Sequence, residues 1–145
     1  MIMAIYLDEH QLTFIHIPKC GGTSVSRWLT NLGAVQRGGK HDGMQHVKSE
    51  YHHYKTLSVV RNPWSRLVSW FHYDTKINAD KVARGKGKGE YERQHQICKL
   101  GFDYWLNYGL DYKNTWFIHR TPQYRWIPAN IDYLFKLENI NQDFK

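Results

Sequence analysis

A short segment at residues 18–24 combines the residue types that hold a phosphate group. It contains Lys19 and Cys20, then Gly21 and Gly22, and it ends in two hydroxyl residues. Glycines let the backbone approach an anion closely, N–H groups at a helix start point towards it, and a lysine with two hydroxyls completes the cradle. The segment is not a Walker A loop, because its lysine precedes both glycines. A plain glycine turn beside a solvated lysine is the alternative.

A second segment, residues 60–69, carries two arginines and a serine at the start of a predicted helix. Arg61 leaves the end of a predicted strand, where the ligands of parallel α/β sheets collect. Ser69 follows two helical turns later, so the two side chains can hold one anionic group from either side. Arg66 can join them. Pairing of the arginines with surface acids, with Ser69 an ordinary helix hydroxyl, is the alternative.

The predicted elements place both segments directly after strands. Residues 13–17 form a short run with β-strand composition, and the helix after it is expected to begin at Thr23 or Ser24 and to stop at Gly33. Its apolar positions at helical spacing are Val25, Trp28, Leu29 and Leu32. A second strand is predicted at residues 55–60, and Asn62-Pro63 is typical of a helix start. The predicted core positions of that second helix are Trp64, Leu67, Val68 and Phe71.

Two strand–loop–helix units in series predict the α/β class, with a short central parallel sheet flanked by helices. A late strand is expected within residues 131–137, and the whole chain, residues 1–145, is expected to form a single domain. Residues 81–89 are rich in glycine and basic residues, which predicts a flexible basic loop. That loop either recruits an acidic acceptor or is simply solvated.

Composition limits the partners and the compartment. The 145 residues include 20 Lys+Arg and 13 Asp+Glu, and the net charge of +7 favours an anionic partner. Nucleic acid, an anionic membrane, a phosphate-rich cofactor and an acidic glycan all satisfy that condition. Two cysteines are too few for a zinc cluster or a disulfide framework, and the apolar run at residues 1–7 is too short for a signal peptide or a membrane span. We therefore expect a soluble, cytoplasmic protein.

The two segments together resemble a known family. Residues 14–24 resemble the 5′-phosphosulfate-binding loop of sulfotransferases that use 3′-phosphoadenosine 5′-phosphosulfate (PAPS), and residues 59–69 resemble their 3′-phosphate-binding strand and helix. Both are more similar to the carbohydrate, membrane-anchored-type branch than to the cytosolic aryl branch, and weaker similarity continues through residues 120–124 and 131–140. The resemblance implies a P-loop-like sulfotransferase architecture. Family members usually continue past the segment matching residues 137–139, so a short member lacking the usual C-terminal part is expected.

The resemblance also implies roles for individual residues. The glycine-containing segment is expected to hold the 5′-phosphosulfate, with Lys19 also acting in catalysis, while Arg61 and Ser69 hold the 3′-phosphate. Cys20 stands where a threonine is more usual, and it is either a reactive thiol or a buried small residue. The complete set of expected cofactor-binding residues is Lys19, Cys20, Gly21, Gly22, Thr23, Ser24, Arg61, Arg66 and Ser69.

The expected reaction moves a sulfuryl group from PAPS to a hydroxyl acceptor, either a glycan or a small molecule, and leaves 3′,5′-adenosine diphosphate. No metal is expected. Related sequences carry a histidine between the two motifs, which makes His41 the first candidate for the base, with His46, His52 and His53 as alternatives. A nucleotide-binding domain without catalysis is one rival. The other is a basic, aromatic-rich nucleic-acid-binding module. It is disfavoured because the basic residues to which a binding role can be assigned cluster in two loops of mononucleotide-binding type and do not form one stripe.

Overall fold

The structure, a computed structural model, describes residues 2–39, 47, 49–86, 89–109 and 121–143. The chain forms two compact units. The first comprises residues 1–62 and 121–145, and the second comprises residues 63–120. The single domain expected over residues 1–145 stays a prediction.

The first unit is built on a five-stranded mixed sheet. Its strands are β1 (Ile2–Leu7), β2 (Leu12–Ile15), β3 (Val35–Gly39), β4 (Lys55–Val60) and β5 (Tyr133–Lys136). The order across the sheet is β3-β1-β2-β4-β5, with β2, β4 and β5 parallel and β1 antiparallel to both of its neighbours. The predicted α/β class and the parallel pairing are confirmed. The antiparallel strands β1 and β3 are additions that the sequence pattern did not indicate.

Both faces of the sheet are covered within the first unit. On one face, Val25 and Leu29 of helix α1 (Gly22–Asn31) pack with apolar residues of β1, β2 and β4. On the other face, Ala4 and Tyr6 of β1 pack with Val47. Alternate side chains of β1 therefore enter two separate apolar clusters, which explains why its sequence is apolar throughout instead of alternating.

The buried stripe of α1 is narrower than the spacing predicted. Val25 and Leu29 are buried, as predicted, but Trp28 is 46% exposed and Leu32 is 47% exposed. Trp28 and Leu32 therefore lie at the predicted helical spacing but do not belong to the core. Only the positions that face the sheet directly, four residues apart, are covered.

The second unit is helical. It contains α2 (Pro63–Ala83), α3 (Glu90–Lys99) and the short α4 (Phe102–Tyr104), which continues into a π-helix over Trp105–Gly109. The start of α2 at Pro63 confirms the predicted start signal. Because α2 extends to Ala83, the first three residues of the predicted basic loop at 81–89 are helical instead.

The core of the second unit is formed by Trp70, Ile97, Cys98 and Trp105. Two predicted core positions of α2 are wrong, because Trp64 is 74% exposed and Val68 is 42% exposed. The inward face of α2 carries Trp70 together with polar residues such as Asp74, whose carboxylate accepts a hydrogen bond from the Trp105 indole N–H at 3.2 Å. The other two predicted positions, Leu67 and Phe71, are confirmed, because both pack against this core. Apolar spacing did not indicate the polar part of the face, whose groups are satisfied by hydrogen bonds.

Strand β5 is followed by a 3₁₀ turn over Leu137–Asn139 and the short helix α5 (Ile140–Asp143). Within the described part of the chain, no helix combines the length and the apolar character needed to cross a membrane.

Candidate functional site

The loop that joins β2 to α1, residues 18–24, is called the glycine loop below. Two residues of its backbone adopt the left-handed conformation, Lys19 with φ 67° and Gly21 with φ 77°. Cys20 lies between them and is 1% exposed, which favours the interpretation of a buried small residue over that of a reactive thiol. The Cys20 N–H donates to the Ile17 carbonyl oxygen at 3.3 Å. A lysine in the left-handed region is uncommon, so the neighbouring contacts must stabilise this conformation.

The two glycines of the loop are required by packing. A Cβ on Gly21 would lie 2.6 Å from Cδ1 of Leu137, and a Cβ on Gly22 would lie 2.7 Å from Cγ of the His16 ring and closer still to two other ring atoms. His16 is 3% exposed, so its ring has little room to move. The sequence indicated that these glycines allow an anion to approach. The structure adds that protein side chains already occupy the space beside them.

Helix α1 begins with its positive end at the glycine loop. Gly21 is the N-cap residue, and the first turn contains no acidic side chain. The predicted cap at Thr23 or Ser24 is wrong, because the left-handed Gly21 starts the helix earlier in the chain. A glycine has no side chain to cap the first N–H groups, and the Ser24 N–H donates to the Gly21 carbonyl oxygen at 3.0 Å. The N–H groups of Gly22 and Thr23, with the exposed hydroxyls of Thr23 and Ser24, can donate to an anion.

Arg61 lies beside the glycine loop. Strands β2 and β4 are parallel neighbours, so the segments that follow them leave the same edge of the sheet. Arg61 directly follows β4, is half-buried, and donates a hydrogen bond from Nη1 to the Lys19 carbonyl oxygen at 3.3 Å. The structure thus brings together the glycine loop and Arg61, as the positions of the two motifs predicted.

Gln123 and Glu138 also reach this edge of the sheet, and the sequence did not single them out. The Gln123 amide oxygen accepts hydrogen bonds from the Arg61 N–H at 2.8 Å and from the Cys20 thiol at 3.1 Å. Its amide nitrogen donates to the Arg61 carbonyl oxygen at 2.8 Å. A Glu138 oxygen accepts from the Asn62 N–H at 2.8 Å, and this hydrogen bond is the main reason that the pKa of Glu138 lies below its ordinary value. The only signal for either residue was the weak resemblance at 120–124 and 131–140.

Arg66 and Ser69 belong to the second unit. Both are half-buried positions of α2, and their separation of three residues places them on the same side of the helix. Their expected joint action with Arg61 stays a prediction.

The candidate bases are distributed between described and undescribed parts of the chain. His41 and His46 lie outside the described residues. His52 and His53 are exposed and line an open cavity of about 210 Å³, together with Lys55 and Asp132. Because Lys55 begins the six-residue β4, this cavity lies at the end of the strand opposite Arg61, about 17 Å away. That separation disfavours His52 and His53 as the base.

One comparison with known proteins gives a result. A protein-family model described as "Sulfotransferase family" matches residues 3–145, which is nearly the whole chain. No curated protein and no solved structure shows a significant match.

Proposed function

We propose that this chain, which belongs to the sulfotransferase family, transfers a sulfuryl group from PAPS to a hydroxyl of a carbohydrate acceptor. Family membership supports sulfotransfer in general and a hydroxyl acceptor. The identity of the donor, the carbohydrate nature of the acceptor and the cytoplasmic location are parts of the proposal. No metal ion is included in it.

The observation that carries the proposal is the contact between Arg61 and the glycine loop. The guanidinium group of Arg61 and the backbone of Lys19 are joined at the edge where a helix N-terminus also points. Besides the hydrogen bond from the Asn62 N–H, the charge of Arg61 helps to lower the pKa of Glu138, so an acidic side chain lies near the guanidinium group. The Arg61 side chain and the positive end of α1 therefore meet at the glycine loop, whose sequence also contains the cationic Lys19. This combination suits a ligand with more than one anionic group.

The residues of this region fit the donor nucleotide. The N–H groups at the start of α1, the hydroxyls of Thr23 and Ser24 and the ammonium of Lys19 would hold the 5′-phosphosulfate. Arg61 would hold the 3′-phosphate, and the sequence predicts the same ligand for Ser69 and Arg66. When bound, the donor supplies the sulfuryl group, whose bond to the 5′-phosphate oxygen breaks as its bond to the acceptor oxygen forms. Lys19 and the helix N-terminus stabilise negative charge where it grows on the leaving phosphate.

His41 is the proposed base that takes the proton of the acceptor hydroxyl. An imidazole is suited to this role because it normally titrates near pH ~6.5. The distance of His52 and His53 from Arg61 leaves His41 and His46 as the stronger candidates among the four.

Calorimetric titration with 3′,5′-adenosine diphosphate tests the nucleotide site directly. We expect binding to the intact chain that is selective over ATP, and a loss of at least about tenfold in affinity in Arg61→Ala. Arg27→Ala is the matched control, because Arg27 is exposed on α1 and its replacement removes the same charge. Equal losses in both variants would reduce the effect to net charge and contradict the assigned site.

Turnover of PAPS with a panel of hydroxyl acceptors tests catalysis separately. His41→Ala is expected to abolish turnover and to retain binding of 3′,5′-adenosine diphosphate. Unchanged turnover would remove His41 from the mechanism. Nucleotide binding by the intact chain without turnover on any acceptor would favour a domain that binds nucleotide and does not catalyse.

A further inference from the structure

We infer that Gln123 is a positioning residue that fixes Arg61 against the glycine loop and thereby makes the site selective for a nucleotide with phosphate groups at both the 5′ and the 3′ positions. This inference rests on the proposed function and deepens it. It assigns a specificity-determining role to a residue outside both sequence motifs.

The contacts of Gln123 span both parts of the proposed site. The amide oxygen of Gln123 accepts hydrogen bonds from the Arg61 N–H at 2.8 Å and from the Cys20 thiol at 3.1 Å. The amide nitrogen donates to the Arg61 carbonyl oxygen at 2.8 Å. Three of the four hydrogen-bonding positions of one side chain are therefore used. The orientation of the amide is fixed by its partners, since a backbone N–H requires an acceptor and a carbonyl oxygen requires a donor.

Gln123 is itself held independently of these contacts. Pro122 precedes it with extended backbone, and Gln123 begins a 3₁₀ turn in which the Trp126 N–H donates to its carbonyl oxygen at 3.0 Å. Trp126 is 5% exposed and its indole N–H donates to the Thr121 carbonyl oxygen at 3.5 Å. The buried indole anchors the turn from which the Gln123 amide reaches Arg61.

The glycine loop and Arg61 depend on Gln123 to different extents. The loop has its own determinants, which include the positive φ values of Lys19 and Gly21 and a second contact of the Cys20 thiol, to the Pro18 carbonyl oxygen at 3.7 Å. Arg61 lies just beyond the last residue of β4, where pairing with the sheet has ended. Both of its backbone polar groups are instead bonded to Gln123. Loss of Gln123 should therefore disturb the 3′-phosphate position more than the 5′-phosphate position.

Amide hydrogen exchange of Arg61 tests the positioning without any ligand. Gln123→Met preserves the size of the side chain but removes all three hydrogen bonds, and we expect exchange of the Arg61 amide about tenfold faster or more. Gln123→Glu keeps the acceptor and should retain most of the protection. Gln142→Ala, at an exposed position of α5, is the control. Wild-type protection in Gln123→Met would mean that Gln123 only fills space, and would overturn the inference.

Nucleotide selectivity tests the second half of the inference. In Gln123→Met we expect affinity for 3′,5′-adenosine diphosphate to fall about tenfold, and affinity for adenosine 5′-monophosphate to fall about twofold at most. Equal losses for both nucleotides would overturn the assigned selectivity. If the wild-type chain binds neither nucleotide, the proposed function fails, and the exchange measurement alone then decides whether Gln123 holds Arg61.

Discussion

Replacing Gly22 with alanine should destabilise the chain through a single steric contact. Gly22 is a buried residue in the first turn of α1, and the ring of His16 lies where its side chain would extend. The substitution adds only one methyl group and no charge. Its effect therefore measures how tightly the glycine loop is packed against the residue that follows β2.

The expected cost follows from the geometry. The added Cβ would lie 2.7 Å from Cγ of His16. Two other atoms of the ring would lie closer still. Carbon atoms in contact normally lie about 3.5–4.0 Å apart, so the ring or the helix must move by well over about 1 Å. Overpacking costs about 1–3 kcal/mol, and a displacement of this size belongs at the upper end of that range. The preference of helices for alanine over glycine offsets at most about 1 kcal/mol. The free energy of unfolding should thus fall by about 2–3 kcal/mol, which corresponds to a decrease in Tm of about 5–12 °C.

Urea unfolding measures this change as a shift of the midpoint at constant slope. Thr23→Ala is the matched control, because Thr23 is the next residue, is exposed, and should change stability by no more than about 0.5 kcal/mol. The double variant His16→Ala, Gly22→Ala completes a thermodynamic cycle. In the His16→Ala background the added methyl group has room, so Gly22→Ala should cost about 1 kcal/mol less there.

Two results would refute the steric explanation. The first is a stability of Gly22→Ala equal to that of Thr23→Ala. The second is an equal cost of Gly22→Ala in the presence and absence of the His16 ring, which would assign the effect to the backbone of the glycine loop.

Three further predictions concern buried and hydrogen-bonded polar groups. Asp132 accepts hydrogen bonds from the N–H and the hydroxyl of Thr56, which lower its pKa, so it contributes stability above its ordinary pKa that is lost as the pH falls through the lowered value. The stability difference between wild type and Asp132→Asn should therefore be larger at pH 7 than in acid, and a pH-independent difference would contradict this role. Burial raises the pKa of Cys98 to about 11. At pH 8 its reaction with a disulfide reagent should therefore be about a hundredfold slower than that of an ordinary thiol. An equal rate would show that the Cys98 thiol is accessible to solvent. Trp105→Phe removes the N–H donor to the buried Asp74 carboxylate and should lower the free energy of unfolding by about 1–3 kcal/mol, and a loss below about 0.5 kcal/mol in urea would contradict that contribution.

The sequence by itself determined the elements with strong local signals. Strand β4 occupies the predicted residues 55–60, and α2 begins at the predicted Pro63. These assignments succeeded because strand composition and proline at a helix start act within a few residues. The same local information located the glycine loop and Arg61, and the rule that parallel strands place their following loops at one edge brought the two together.

The tertiary structure decided which apolar residues are buried and how the sheet is completed. Strand β1 carries no alternation because both of its faces are covered, and β3 is a glycine-containing strand that pairs with β1 at the edge of the sheet. Trp64 and Trp28 fit helical spacing but remain exposed, since burial depends on what the neighbouring elements reach.

The side chains that complete the candidate site were identified by the tertiary structure, and the sequence offered only the weak resemblance of the segments that contain them. Gln123 contacts a residue 62 positions away, and Glu138 contacts one 76 positions away. The neighbouring residues in the sequence do not indicate such a role for either side chain, because most glutamines and glutamates are simply exposed on the protein surface. The sequence thus determined the backbone loops that present anion-binding groups. Only the folded chain determined which distant side chains hold those loops, because these hydrogen bonds form after the sheet has brought the segments together.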